Sequence, residues 1–202
     1  DFPKIATDEY DSQFQAGQAE IKRLFDLSAF AMSTEEVRFY LQGVYLHPFN
    51  GTLRAVTTDG HRLARIDSAV ECATAGVIVP RKTVNLVKKL LADGDALVKV
   101  SAGKILFDLG HTVVISKVVD GVYPDYTRVI PSDHTTEATV SAADVKQASG
   151  LVSLVSAEKT RAVKISVSGS VMALEVNAGI DKGLEEVDCE FTGPEISIGV
   201  NS

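Results

Sequence analysis

Three stretches of the sequence recur in order at nearly one spacing, and this limits the available folds more than any single motif does. Glu20-Ile21-Lys22 corresponds to Asp144-Val145-Lys146 at a separation of 124. Ser33-Thr34-Glu35-Glu36-Val37-Arg38 corresponds to Ser156-Ala157-Glu158-Lys159-Thr160-Arg161 at 123, and Ile78-Val79-Pro80 to Ile198-Gly199-Val200 at 120. One such match carries little; three in register describe a duplicated domain whose period is too long for a solenoid of short units. The 202 residues, 45% apolar and 23% charged, suffice for two units with cores of their own, since domains commonly run to roughly 100–150 residues. The repeat makes the first unit longer than the second, so the second is expected to be incomplete. An opening on Asp1-Phe2-Pro3 without an initiator Met, and a close on Gly199-Val200-Asn201-Ser202, add the expectation that both ends are cuts in a longer protein.

Within the first unit, residues 1–18 read as a connector or strand end. From Glu20 to Ala31 an amphipathic helix is expected, with Ile21, Leu24, Phe25 and Leu27 inward and Lys22, Arg23 and Asp26 outward. Runs of β-formers over Val37 to Leu46, Thr52 to Thr57 and Arg62 to Ile66, broken at His47-Pro48-Phe49-Asn50-Gly51 and Asp59-Gly60, predict a meander. Val77-Ile78-Val79 predicts a short strand, and Pro80 suits the first turn of a helix running to about Ala92. Strands over Leu97 to Ser101, Lys104 to Leu109 and Thr112 to Val118 follow, and a second unit begins near Glu137.

The helix after Pro80 is the most informative in charge. At 100° per residue, Arg81, Lys82, Lys88 and Lys89 share one arc of about 120°, while Val84, Leu86, Val87, Leu90 and Leu91 form the opposite stripe. The whole chain carries 27 acidic against 20 basic residues, a net charge of -7, so any attraction to phosphate must come from such a local surface. Thr57-Thr58-Asp59-Gly60-His61-Arg62-Leu63-Ala64 is a second cluster, a turn that places cations beside apolar groups.

Other chemistry finds little support. His47, His61, His111 and His134 stand at no metal-ligand spacing, so no metal and no cofactor is expected. Phosphate-cradling glycine loops and hydrolase elbows are missing from the sequence, and no catalytic residues are assigned. Two cysteines, Cys72 and Cys189, are too few for a disulfide framework and point to a reducing, cytoplasmic setting. No apolar run of about 18 residues predicts a membrane span.

Several strings together resemble the bacterial DNA sliding clamp family, the beta subunit of DNA polymerase III. They are Asp1-Phe2-Pro3, the seven residues from Val37 to Gly43, Thr58 to Ala64, Val77-Ile78-Val79-Pro80-Arg81-Lys82, Lys117 to Tyr126 and Arg128-Val129-Ile130-Pro131. The resemblance implies an α+β DNA-clamp fold of repeated domains, with antiparallel sheets outside and helices lining the DNA-facing side. It divides the chain into a tail of a preceding domain (1–11), a complete middle domain (12–131) and the front of a following one (132–202). It also implies a homodimeric ring around duplex DNA, held without sequence specificity. Such a ring is a processivity factor in DNA replication, a non-catalytic accessory of a DNA-directed DNA polymerase, itself a nucleotidyltransferase.

By the same resemblance Arg38, Phe39, Tyr40, Arg81 and Lys82 are DNA-side residues. Leu41, Thr58, Gly60, His61, Arg62, Leu63, Pro124, Arg128, Val129 and, from the following domain, Asn201 form a pocket for short peptides of the polymerase III catalytic subunit, clamp loader and repair proteins. Apolar walls would hold aliphatic and aromatic anchors, and polar groups would orient them. The rest of that pocket in the family comes from a segment beyond residue 202, so this stretch alone is not expected to encircle DNA. Two other readings stand beside the clamp: a peptide-binding scaffold without DNA binding, and an enzyme using Asp59 and His61. The enzyme reading lacks an accompanying nucleophile or metal site.

Overall fold

The computed structural model describes residues 9–155 and 162–201. The chain divides between Asp125 and Tyr126 into two compact units.

The first unit opens with strand β1 (Ser12–Gly17), which runs straight into helix α1 (Gln18–Ser28). Gln18 fixes this junction. Its buried amide donates to the carbonyls of Asp95 and Leu109, both at 3.1 Å, and accepts from the Ala92 N–H at 2.8 Å. A buried amide with all these bonds made orients a helix end without leaving a polar group unsatisfied. Two 3-10 turns, Ala29–Ala31 and Glu36–Leu41, lead to β2 (Gly43–Phe49), β3 (Thr52–Thr58), β4 (Leu63–Glu71) and β5 (Val77–Pro80). Pro80 ends β5 and α2 (Arg81–Leu90) starts at once. Strands β6 (Asp95–Val100), β7 (Lys104–Asp108) and β8 (Val113–Lys117) complete the unit.

These strands make two antiparallel sheets, ordered β4-β3-β2-β5 and β1-β6-β7-β8. Ile21, Leu24 and Phe25 of α1 and Val84 and Val87 of α2 bury themselves in one core with Val44, Leu53, Val79, Val98, Ile105 and Phe107. Phe25 and Phe107 meet edge to face at 6.1 Å, a favoured aromatic arrangement.

The second unit contains β9 (Ala138–Val140), α3 (Ala142–Ser153), β10 (Ala162–Ser168), β11 (Val171–Ala178), β12 (Asp181–Phe191) and β13 (Ile196–Asn201). Ser141 caps α3 by accepting from the Asp144 N–H. Ala148 and Val152 of α3 pack on Val163, Leu174, Val176 and Val187. In the sheet order β13-β10-β11-β12-β9 the first four strands repeat β5-β2-β3-β4 of the first unit, and β9 adds a fifth at the edge. Register repeats too: the pair Tyr45↔Val56 recurs as Lys164↔Glu175, each partner displaced by 119. The duplication is therefore in topology as well as in sequence, although Ser156–Arg161, one half of the second sequence match, lies outside the described residues.

Several local expectations need correction. Val37 to Leu46 is not one strand: Glu36–Leu41 coils as a 3-10 turn and β2 begins only at Gly43. The reason is burial, for Val37 is 88% exposed and Phe39 also faces solvent, so Leu41 is the turn's buried anchor. Of the two readings of residues 1–18, the strand is the one that holds over Ser12–Gly17, with Phe14 and Ala16 inward at a period of two. Leu27 and Leu86, expected on buried stripes, are 50% and 48% exposed at the margins of those stripes.

Candidate functional site

The turn between β3 and β4 is built by its own side chains. Thr58 Oγ1 donates to the Arg62 carbonyl at 2.8 Å and accepts from the Gly60 N–H at 3.1 Å. Asp59 Oδ1 accepts from the N–H groups of His61 and Arg62, both at 3.0 Å, while its Oδ2 accepts from Arg62 Nε at 3.0 Å. Burial pushes the Asp59 carboxyl upward, but the two N–H donors and the guanidinium outweigh it and hold the group below the usual carboxylate range. Gly60 has φ of +91°, a conformation that L side chains avoid. The Arg62 guanidinium is thereby presented on the surface, 5.7 Å from the centre of the exposed Phe30 ring.

Leu41 is buried next to the 3-10 turn, Leu63 is half-buried, and His61 and Pro124 are exposed. A second aromatic device sets the segment that carries Pro124. Tyr123 stacks on Tyr45 at 4.7 Å, and Tyr45 stacks on His47 at 4.5 Å, while the Val119 N–H donates to the Ile78 carbonyl at 2.9 Å. Burial raises the Tyr123 phenol above its ordinary value. Of the residues assigned to the second unit, Arg128 and Val129 lie exposed on the 3-10 turn Tyr126–Val129. Asn201 ends β13, its backbone opposite Ala162, and its side chain lies outside the described residues.

The residues expected on the DNA side fall into two groups. Arg38 lies against the Thr58 to Leu63 turn: a Cβ on Gly60 would come within 2.7 Å of its Nη1, and its Nε is 3.4 Å from Glu35 Oε2. Phe39 and Tyr40 pack edge to face at 5.6 Å, beside Gly121. On α2, Arg81 donates to the carbonyls of Met32 and Ser33, so it fastens the helix start to the loop before the 3-10 turn. Lys88 reaches Asp26 on α1 at 2.7 Å. Lys82 and Lys89 are exposed and form no ion pair with a described residue. The basic stripe therefore holds two open cations and two engaged ones, a difference helical angles cannot show because the partners come from other segments.

Among the described residues no three His, Cys, Asp or Glu side chains gather as a metal-binding group, and no helix is long and apolar enough to cross a membrane.

An α+β unit repeated in topology and register, with helices packed on antiparallel sheets, is the DNA-clamp class of fold. Residues 15–125 match the family profile of the DNA polymerase III beta subunit, central domain, and residues 127–202 match that of its C-terminal domain. The chain belongs to the DNA polymerase III beta subunit family.

Among the relatives, the beta sliding clamp of Caulobacter vibrioides is 40% identical over 212 residues, and that of Escherichia coli K12 is 34% identical over 206. All of this chain is covered in both alignments, against 57% and 56% of those proteins, so it spans little more than half their length. Among solved structures, the Bartonella birtlesii sliding clamp bound to griselimycin superposes with a TM-score of 0.90 at 37% identity. A Pseudomonas aeruginosa clamp gives 0.93 at 32%, and each match covers all of this chain and 57% of the other.

Proposed function

We propose that this chain is part of a sliding clamp: a replication processivity factor that closes as a homodimeric ring around duplex DNA and tethers the polymerase without itself being an enzyme. The match of both domain profiles, end to end along the described units, carries this reading. In it, the unit ending at Asp125 belongs to the middle domain and the unit starting at Tyr126 to the next. The charge distribution agrees with the task. A ring holds DNA by enclosure, so the protein can carry -7 overall while a few helix cations make exchangeable phosphate contacts with no preferred register. Lys82 and Lys89 are the open cations of α2 and the first candidates for that role.

The partner site on this reading uses the Thr58 to Leu63 turn. Its fixed Arg62, exposed His61 and half-buried Leu63 offer an oriented cation beside an apolar wall, suited to a short peptide with a Gln followed by aliphatic and aromatic anchors. The peptides would come from the polymerase III catalytic subunit, the clamp loader and repair proteins.

The test uses the intact full-length ring. Lys82→Glu with Lys89→Glu is expected to shorten retention on circular DNA while a fluorescent clamp-binding peptide still binds. Arg62→Ala is expected to do the reverse. No retention of the wild-type ring on circular DNA, with the peptide still bound, would favour the scaffold reading and sink the clamp; retention unaffected by the lysine reversals would remove Lys82 and Lys89 from DNA contact.

A further inference from the structure

Asp26 stands between two lysines that belong to different helices. Lys22, one turn earlier on α1, places its Nζ 2.6 Å from Oδ2, and Lys88 on α2 places its Nζ 2.7 Å from Oδ1. Both carboxylate oxygens are thus engaged, and the group is on the surface where α1 and α2 meet. Hydrogen bonds from Lys22 and then Lys88 hold its carboxyl below the usual range.

Little in the folding of the unit explains this arrangement. The two helices are already fixed by Leu24, Phe25, Val84 and Val87 in the common core, and exposed ion pairs add little to stability. Its larger consequence is electrostatic. Lys88 shares the outer arc of α2 with Lys82 and Lys89, so the carboxylate, reaching across from α1, engages one member of the very stripe proposed to meet DNA. A charge under 3 Å from each ammonium acts well inside the Debye length of about 8 Å, where salt screens it least.

We propose that Asp26 masks Lys22 and Lys88 from duplex DNA and thereby sets the strength of the ring's phosphate contact. This rests on the clamp reading. For either lysine to take a phosphate it must leave the carboxylate, and the phosphate must approach an uncompensated anion. Each such contact is therefore an exchange between two acceptors and not a net gain of one. A sliding surface benefits, because contacts that form and break at similar free energy leave no deep trap along the duplex.

The experiment compares wild type, Asp26→Asn, and Lys82→Glu with Lys89→Glu, all as the intact full-length ring, for binding of a short linear duplex across a salt series. Asp26→Asn is expected to bind several-fold more tightly at low salt. Its plot of log affinity against log salt should steepen by about 0.9 for each lysine recovered. The triple variant Asp26→Asn, Lys22→Gln, Lys88→Gln should lose that gain, and thermal melting of each variant establishes that the fold is kept. An unchanged slope for Asp26→Asn, with weakened binding in the Lys82 and Lys89 variant, overturns the masking role and leaves the clamp reading intact. Unchanged duplex binding in every variant overturns the masking role together with the assignment of Lys82 and Lys89, and no duplex binding by the wild-type ring overturns the clamp reading itself.

Discussion

Gly60 meets two independent demands at one residue. Its φ of +91° suits a residue without Cβ, and the space a Cβ would occupy is taken by the Arg38 guanidinium, 2.7 Å away. Left-handed backbone costs an L residue about 1–2 kcal/mol, and displacement of Arg38 would add to it. Gly60→Ala is therefore expected to destabilise the protein by about that amount in denaturant melts. It should also weaken peptide binding, because the N–H groups that Asp59 gathers from His61 and Arg62 would shift with the turn. A variant as stable as wild type that binds the peptide normally would show that the turn tolerates a side chain.

Helices divide sharply between the side chains that hold them and those that only complete their pattern. Phe25 is fully buried against Phe107, whereas Leu27, two residues on, is half exposed. Phe25→Ala should cost about 3–5 kcal/mol, the usual range for a buried phenylalanine, and Leu27→Ala should stay within about 0.5 kcal/mol. Equal shifts in the two denaturation midpoints would contradict this packing. The same contrast explains what was legible beforehand. Period-3.6 patterning located α1 and α2, and Pro80 marked the strand-to-helix junction, because both are local signals. Leu27 and Leu86 misled because hydrophobicity reports preference, while the width of the buried stripe is set by what packs opposite. The 3-10 turn at Glu36–Leu41 was hidden behind β-forming residues that never enter a sheet. The turn Thr58 to Leu63 could be singled out from its own residues, since Asp59 and Gly60 act within it. The partners of Arg81 and Lys88 could not, since Met32, Ser33 and Asp26 lie more than 45 residues away. Of the two lysines on Asp26, only Lys22 stands at a local spacing, four residues away on the same helix.

At the scale of the whole molecule, the titrating groups with resolved shifts in the physiological and acid range all act in one direction. Glu20 beside Arg23, Asp26 beside Lys22 and Lys88, and Asp67 beside Arg54 are held below the ordinary carboxylate range, as is Asp59. A carboxyl lowered in the folded state stabilises the fold above its unfolded value near 4 and loses that contribution as pH falls through the folded value. His47 is lowered as well, by burial first, between Tyr45 on which it stacks and the Arg54–Asp67 pair. The unfolded chain then takes up the His47 proton near pH 6.5 before the folded one does, so stability from this residue is complete above about 6.5 and declines below it. Two limbs of acid destabilisation are thus expected: an early one starting near pH 6.5 and a later one below about pH 4. Thermal midpoints measured from about pH 8 downward should show both in wild type, while His47→Gln should flatten the early limb and keep the later one. Parallel curves for the two proteins between about pH 6.5 and 5 would remove His47 as the source and leave the early limb to another group.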